Sequence, residues 1–158
     1  MNDWIKFWVP GDPKPQGSKT AYLNKHTGRA VLVESCKLNK PWRERAKAIA
    51  EMNYQGMPIT TALEMSIGFF FRRPKSHYGT GQNSKTLKAS APDYMATQPD
   101  IDKTTRSILD ALKDVIYKDD SLVCHLSVCK LYATIHGPGA QVCVRAITHT
   151  AGAARESK

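Results

Sequence analysis

Two short acidic clusters stand out for the chemistry they could do: Pro99-Asp100-Ile101-Asp102 and, about one helix length further on, Tyr117-Lys118-Asp119-Asp120. In extended backbone, residues two apart point to the same side, so Asp100 and Asp102 would project together just ahead of a helix. Carboxylates so crowded repel, and one would keep its proton unless a cation intervened; a hard divalent ion is the natural compensation. Asp119 and Asp120 head the next strand, and a strand that folds back can set one of them beside the first pair. Three oxygen donors with water completing the shell suit Mg²⁺. Such an ion lowers the pKa of a bound water, polarises a phosphate and steadies the leaving 3′ oxygen in an in-line displacement. The chemistry implied is phosphodiester hydrolysis. Aspartate also has plain structural uses: Asp102 could cap a helix starting at Lys103, and Asp119-Asp120 could make a turn. Short motifs match by chance, so residue types alone leave both uses open.

Periodicity shows which elements must position these groups. Lys103 to about Val115 carries Ile108, Leu109, Leu112 and Val115 at helical spacing and predicts a helix between the two clusters. Leu122 to Ile135 and Gln141 to Thr148 read as two long strands forming a hairpin through His136-Gly137-Pro138-Gly139. Upstream, Trp4 to Val9 alternates as a strand and stops at Pro10-Gly11-Asp12-Pro13-Lys14-Pro15, because proline lacks the ladder donor. Gln16 to Lys25 reads as a polar, basic loop, and Arg29 to Val33 as a second strand returning to close a hairpin around His26-Thr27-Gly28. Lys37 to Tyr54 predicts an amphipathic helix with Leu38, Trp42, Ala46, Ile49 and Ala50 inward. Its Lys40, Arg43 and Lys47 suit a solvated face as well as a DNA contact. Leu63 to Phe71 is a buried strand. Arg72 to Gln98 lacks a sustained period and carries Arg72, Arg73, Lys75, Lys85 and Lys88 against Asp93 alone, five minus one or +4, as in a long, basic, mobile loop. The order β, β, α, β, α, β, β predicts a single α+β domain over 1–150, with a mixed or antiparallel sheet and helices packed on one face. A flexible tail is expected over 151–158.

With 158 residues, 41% of them hydrophobic, the chain suits one domain with an ordinary core. Its 23 Lys plus Arg against 14 Asp plus Glu leave a net charge of +9, which favours a polyanionic partner. Nucleic acid comes first, and an acidic protein partner is the reading from another class. Apolar runs such as Ile67 to Phe71 are far too short to span a bilayer, and no signal-peptide pattern opens the chain, so a soluble cytoplasmic protein with no membrane partner is expected. Cys36, Cys124, Cys129 and Cys143 lack CxxC spacing and read as reduced structural thiols. A zinc site drawing on His125, His136 or His149 is the alternative, although no pair has finger spacing.

Taken jointly, these segments resemble the RusA family of Holliday-junction resolvases. Pro99-Asp100-Ile101-Asp102-Lys103, Ile108-Leu109-Asp110-Ala111-Leu112, Asp119-Asp120 and Lys130 look like the family's D-x-D-N pair, D-A-L helix, D-D pair and downstream lysine. Val9-Pro10-Gly11-Asp12-Pro13-Lys14-Pro15 is similar to the family's start, and Arg73-Pro74-Lys75-Ser76-His77-Tyr78-Gly79-Thr80-Gly81 to a loop of phage and prophage members. The matches spread from Val9 to Lys130. The resemblance implies a Mg²⁺-dependent endodeoxyribonuclease, Mn²⁺ able to substitute, with no small-molecule cofactor. It implies a homodimer that nicks four-way junctions and other branched DNA symmetrically, in recombination or repair within a bacterial cell, leaning towards a phage or prophage source.

Carried over by motif, Asp100, Asp102 and Asp120 bind the metal, with Asp119 the weaker of its pair. Two positions depart from the family: its Asn stands as Lys103 here, and its lysine one turn later as Arg106. Arg106 keeps the positive charge and can clamp a phosphate, but its pKa is too high for proton transfer, so it is expected to stabilise charge in the transition state. A junction-binding protein of the same fold with weakened turnover is the alternative that these changes raise. Lys14, Lys19, Arg72, Arg73, Lys75, Lys85, Lys88, Lys103 and Lys130 are the cations expected to meet phosphate. Lys130 shares strand parity with Asp120, which would put both on one face, and a solvated lysine is equally open. Asp110 is expected to support the site from behind. His77 and Tyr78 either stack on unpaired bases or anchor their loop. A two-fold dimer suits a junction of nearly equivalent strands, with Trp42 and the terminal hairpin as candidate contributors to its interface.

Overall fold

Leu63–Phe71 alternates strictly between buried and half-buried positions, the pattern of a strand with a packed face and an open face. It is the fourth strand in a chain of β1 (Ile5–Pro10), β2 (Lys19–Leu23), β3 (Ala30–Glu34), α1 (Asn39–Asn53), β4 (Leu63–Phe71), α2 (Ile101–Leu112), β5 (Val123–Tyr132) and β6 (Gly139–Ala146). The computed structural model describes residues 3–17, 19–34 and 37–148. Cys36, His149 and the segment 151–158 lie outside the described residues.

The main sheet runs β1-β6-β4-β5. β1 pairs antiparallel with β6, from Ile5 opposite Val144 to Pro10 opposite Gly139, and β6 pairs antiparallel with β4. β4 and β5 are parallel, so the chain between them must cross over the sheet, and α2 is carried on that crossing. Leu63, Met65, Ile67, Phe69 and Phe71 of β4, with Val9, Val142 and Val144, share one core with Trp42, Ala46 and Ala50 of α1 and Ile108, Ala111 and Leu112 of α2. This is the α+β sheet with helices on one face that the periodicity predicts.

Four details differ from the sequence reading. The segment Gln16 to Lys25 is not all loop: β2 pairs antiparallel with β3, Lys19 opposite Glu34, as a ribbon separate from the main sheet, and this pairing closes the hairpin expected around His26-Thr27-Gly28. β5 and β6 do not form a hairpin, because β4 lies between them; the turn residues 136–139 signal a change of direction, not a pairing partner. α2 starts at Ile101 rather than Lys103. Leu38 is exposed, whereas Trp42 is only 3% exposed within the core and so offers nothing to a dimer interface.

The opposite sheet face carries Trp8 and Phe70 with ring centroids 5.4 Å apart, beside a cavity of about 460 Å³ that Lys6, His136 and Gln141 also line. The helix-covered face holds the stability. Phe69 is fully buried at its centre, and Phe69→Ala is expected to cost about 3–5 kcal/mol, read as a lower urea midpoint with an unchanged slope.

Candidate active site

α2 begins where the chain leaves extended backbone at Asp100, its N-cap residue. Thr104 closes on the carbonyl of Asp100 twice, through its amide at 3.1 Å and its hydroxyl at 2.9 Å, and the Thr105 hydroxyl donates to Ile101 O at 2.7 Å. These bonds start the helix two residues early. Asp102 therefore lies in the first turn rather than in extended chain, where its carboxylate complements the positive end of the helix. The side chain of Asp100 makes no capping bond; it meets Lys103 Nζ at 2.8 Å. That ammonium, by hydrogen bond and then by charge, holds the Asp100 carboxyl below its ordinary range, and Asp100 raises Lys103 in return.

Asp100 and Asp102 line one open groove of about 550 Å³, walled by Tyr94, Met95, Val128, Cys129 and Lys130. Lys130 does not reach into it as a free cation. Its ammonium donates to Thr97 O at 2.6 Å and to Pro99 O at 2.7 Å, tying the approach to α2 onto β5. Residues 93–95 lie along the outer edge of β5, through Met95 N to Lys130 O at 3.0 Å and Tyr132 N to Asp93 O at 2.9 Å. Arg106, one turn beyond Asp102, is exposed, and among the described residues it makes no ion pair.

The other acidic cluster sits at the far end of α2. Asp119 accepts from Lys113 Nζ at 2.8 Å and from Ser121 N at 3.1 Å, which holds its carboxyl far below the usual range. Asp120 opens the short 3₁₀ turn Asp120–Leu122 and is exposed; it is not in a strand, so the expected parity with Lys130 does not apply. Beneath this turn Tyr117 is fully buried, and its hydroxyl donates to Leu109 O at 2.7 Å. Burial pushes that phenol well above its ordinary pKa. At about 1.5 Å per residue α2 is about 18 Å long, and the two clusters stand at its opposite ends, the second tied to Lys113 just past Leu112. Among the described residues, no group of three or more His, Cys, Asp or Glu side chains is placed to hold a metal. The fold thus joins Asp100 with Asp102 and leaves Asp119 and Asp120 apart from them. Cys124, Cys129 and Cys143 are free thiols.

The two carboxylates in the groove suit the hard-oxygen preference of Mg²⁺. An ammonium already stands against one of them as a cation would. Asp110 pairs with Arg43 across the helices at 4.0 Å, a structural position in the last turn of α2.

The segment 72–98 is stapled by its own hydrogen bonds, including Gly79 N to Thr86 O at 2.9 Å and Lys88 N to His77 O at 2.9 Å. Arg73 turns inward with its side chain 5% exposed, donates to Pro92 O at 2.8 Å, and lies 5.3 Å from the centroid of the Tyr132 ring. It fastens the loop instead of facing phosphate. His77 packs edge-on against Tyr132 at 4.7 Å, so its ring anchors the loop, while the backbone of Tyr78 bridges to that of Leu87. Lys75, Lys85 and Lys88 are exposed, with Lys88 also donating to Ser76 O at 2.8 Å. Arg72 is exposed near Asp12 at 3.4 Å, Lys14 is half-buried, and the side chain of Lys19 lies outside the described part of β2.

Sequence reading missed Tyr94 and Met95 as walls of the groove, and Lys113 as the partner of Asp119. Only the Asp100 to Lys103 spacing could have signalled its pair, since residues three apart on a helix are neighbours. No helix among the described residues is long and apolar enough to cross a membrane.

Residues 10–145 match the family model described as Endodeoxyribonuclease RusA. The chain is also 30% identical over 149 residues to Uncharacterized protein YqaN of Bacillus subtilis (strain 168), covering 92% of this chain and 99% of that protein.

Because Lys130 holds two backbone carbonyls ahead of Asp100, Lys130→Met is expected to loosen that segment without unfolding the sheet. Hydrogen exchange over residues 96–101 should quicken by about tenfold, the loss of charge-assisted bonds, while β4 stays protected.

Proposed function

The chain belongs to the RusA family of endodeoxyribonucleases, and from that premise we propose that it resolves four-way and related branched DNA by paired, symmetric nicks. The reaction depends on Mg²⁺, with Mn²⁺ able to replace it. The observation that carries this reading is the pairing of Asp100 and Asp102 in one open groove at the start of α2, with the unpaired guanidinium of Arg106 one turn away.

Asp120 stands a helix length from that groove, so it reaches the same ion only from a second copy of the chain. The outer edge of β5 supports such a partner: among the described residues, nothing pairs with it before Lys130. Exposed strand edges invite pairing. Antiparallel pairing of β5 with its copy about a two-fold axis runs the start of one strand alongside the end of the other, which carries Asp120 towards Asp100 and Asp102 of the opposite subunit. Bound there, Mg²⁺ supplies a polarised phosphate and an activated water. Arg106 holds charge on the phosphate and moves no proton. Lys75, Lys85, Lys88, Arg72, Lys14 and Lys103 offer backbone contacts that register shape rather than sequence. The second reading, a junction-binding protein with weakened turnover, is favoured by one observation, the ion pair between Lys103 and Asp100.

Labelled four-way junctions and linear duplex incubated with the protein and Mg²⁺ separate these readings. Paired nicks are expected in the junction alone, and Asp102→Asn should bind the junction while cutting at least roughly a hundredfold more slowly. Intact binding without cutting by the unmodified protein would promote the second reading, and equal cutting of linear duplex would defeat junction selectivity. Mixing Asp102→Asn with Asp120→Asn tests the shared site. A mixed dimer retains one complete set of carboxylates and should regain single-strand nicking, whereas a site contained within one chain would stay dead.

A further inference from the structure

We propose that Lys103 is a resident counter-ion that competes with the divalent metal for Asp100, so that this chain binds its metal more weakly than one with a neutral residue there. The inference rests on the reading that Asp100 and Asp102 hold the metal. Lys103 Nζ lies 2.8 Å from Asp100 Oδ2, with the two side chains 45% and 46% exposed. Asp100 has the N-cap position but leaves the helix amides uncapped, its carboxylate being committed to this ammonium. Asp102 lies within the field of the same ammonium, and among the described residues it makes no ion pair of its own.

The neighbouring cations cannot take this part. Lys130 is spent on the carbonyls of Thr97 and Pro99, and Arg106 pairs with neither aspartate. Lys103 alone occupies a carboxylate oxygen that a metal needs. Mg²⁺ prefers hard oxygen donors, and an ammonium bonded to Asp100 Oδ2 sets a positive charge against an incoming divalent ion even though Oδ1 stays open. Binding is therefore opposed by Lys103 until its ammonium moves aside. Its flexible four-carbon stem lets the ammonium swing clear, where it is free to meet a DNA phosphate. Metal uptake and DNA contact are then coupled through one side chain: in the metal-free protein Lys103 quiets the repulsion between Asp100 and Asp102, and in the loaded protein it adds a cation beside the phosphate.

The test is a Mn²⁺ titration of the full chain followed by electron paramagnetic resonance, which reads free and bound ion without reference to cleavage. Lys103 is exposed on α2, so Lys103→Gln should fold as the parent does, checked by thermal melting. Breaking an exposed pair of this kind shifts an equilibrium by roughly two- to fivefold, so Lys103→Gln should bind Mn²⁺ that much more tightly. Arg106→Gln, which removes a like charge one turn away but no bonded cation, is expected to gain less. Unchanged affinity in Lys103→Gln, or an equal gain in Arg106→Gln, overturns the proposal and leaves the metal site standing. If Asp102→Asn binds Mn²⁺ as well as the parent, the site reading itself fails and takes the proposal with it.

Discussion

Two parallel strands side by side cannot be joined by a tight turn, and this constraint governs the molecule. β4 and β5 are such a pair, so the chain leaving Phe71 must travel back over the sheet before Val123 can begin. α2 is the rigid part of that return, and its buried stripe of Ile108, Ala111 and Leu112 joins it to the shared core beside α1 and next to β5. Its start therefore lies near the ends of β4 and β5, where Lys130 and residues 93–95 meet it, and its end lies near their beginnings. The acidic clusters flank α2 in sequence, so the crossing that makes the sheet possible also holds them apart.

Electrostatics at the two ends follow one plan. Each cluster includes an aspartate held by a lysine at 2.8 Å, Asp100 by Lys103 and Asp119 by Lys113. Exposed pairs of this kind contribute little to folding. Their effect is local: each fixes one carboxylate in its charged form and leaves its neighbour, Asp102 or Asp120, open to solvent. In a chain of net charge +9, such exposed carboxylates are islands of negative charge on a surface suited to phosphate.

The sequence was most legible where a single period governs a segment. The apolar run of β4 and the stripe of α2 could be read directly, and so could the joint motif from Val9 to Lys130, which points to the family. Pairing was less legible. His136-Gly137-Pro138-Gly139 announces a reversal, but only the buried β4, seeking partners on both sides, explains why β5 and β6 end up separated. The start of α2 was misplaced because Ile101 and Asp102 read as extended chain until the Thr104 and Thr105 hydroxyls are seen closing the first turn. Arg73 looked like a DNA contact because its burial depends on Tyr132, a ring far along the chain that no local window includes. Lys130 was expected to meet phosphate, whereas the use the structure gives it, holding the Thr97 and Pro99 carbonyls, depends on a loop whose path has no periodic signature.

A divided set of carboxylates has a consequence for control. If Asp100 and Asp102 of one chain need Asp120 of another, an isolated chain carries an incomplete donor set at each end of α2, and each end is partly satisfied by its own lysine. Such a monomer has little to hold a divalent ion firmly and no reason to cut DNA that it meets by charge alone. Assembly about a two-fold axis would complete both sites at once and place them symmetrically, which matches the demand of a junction that must be cut on two equivalent strands to be resolved without leaving a single nick. The long crossing that separates the clusters within a chain would then be the same feature that ties cleavage to the dimer.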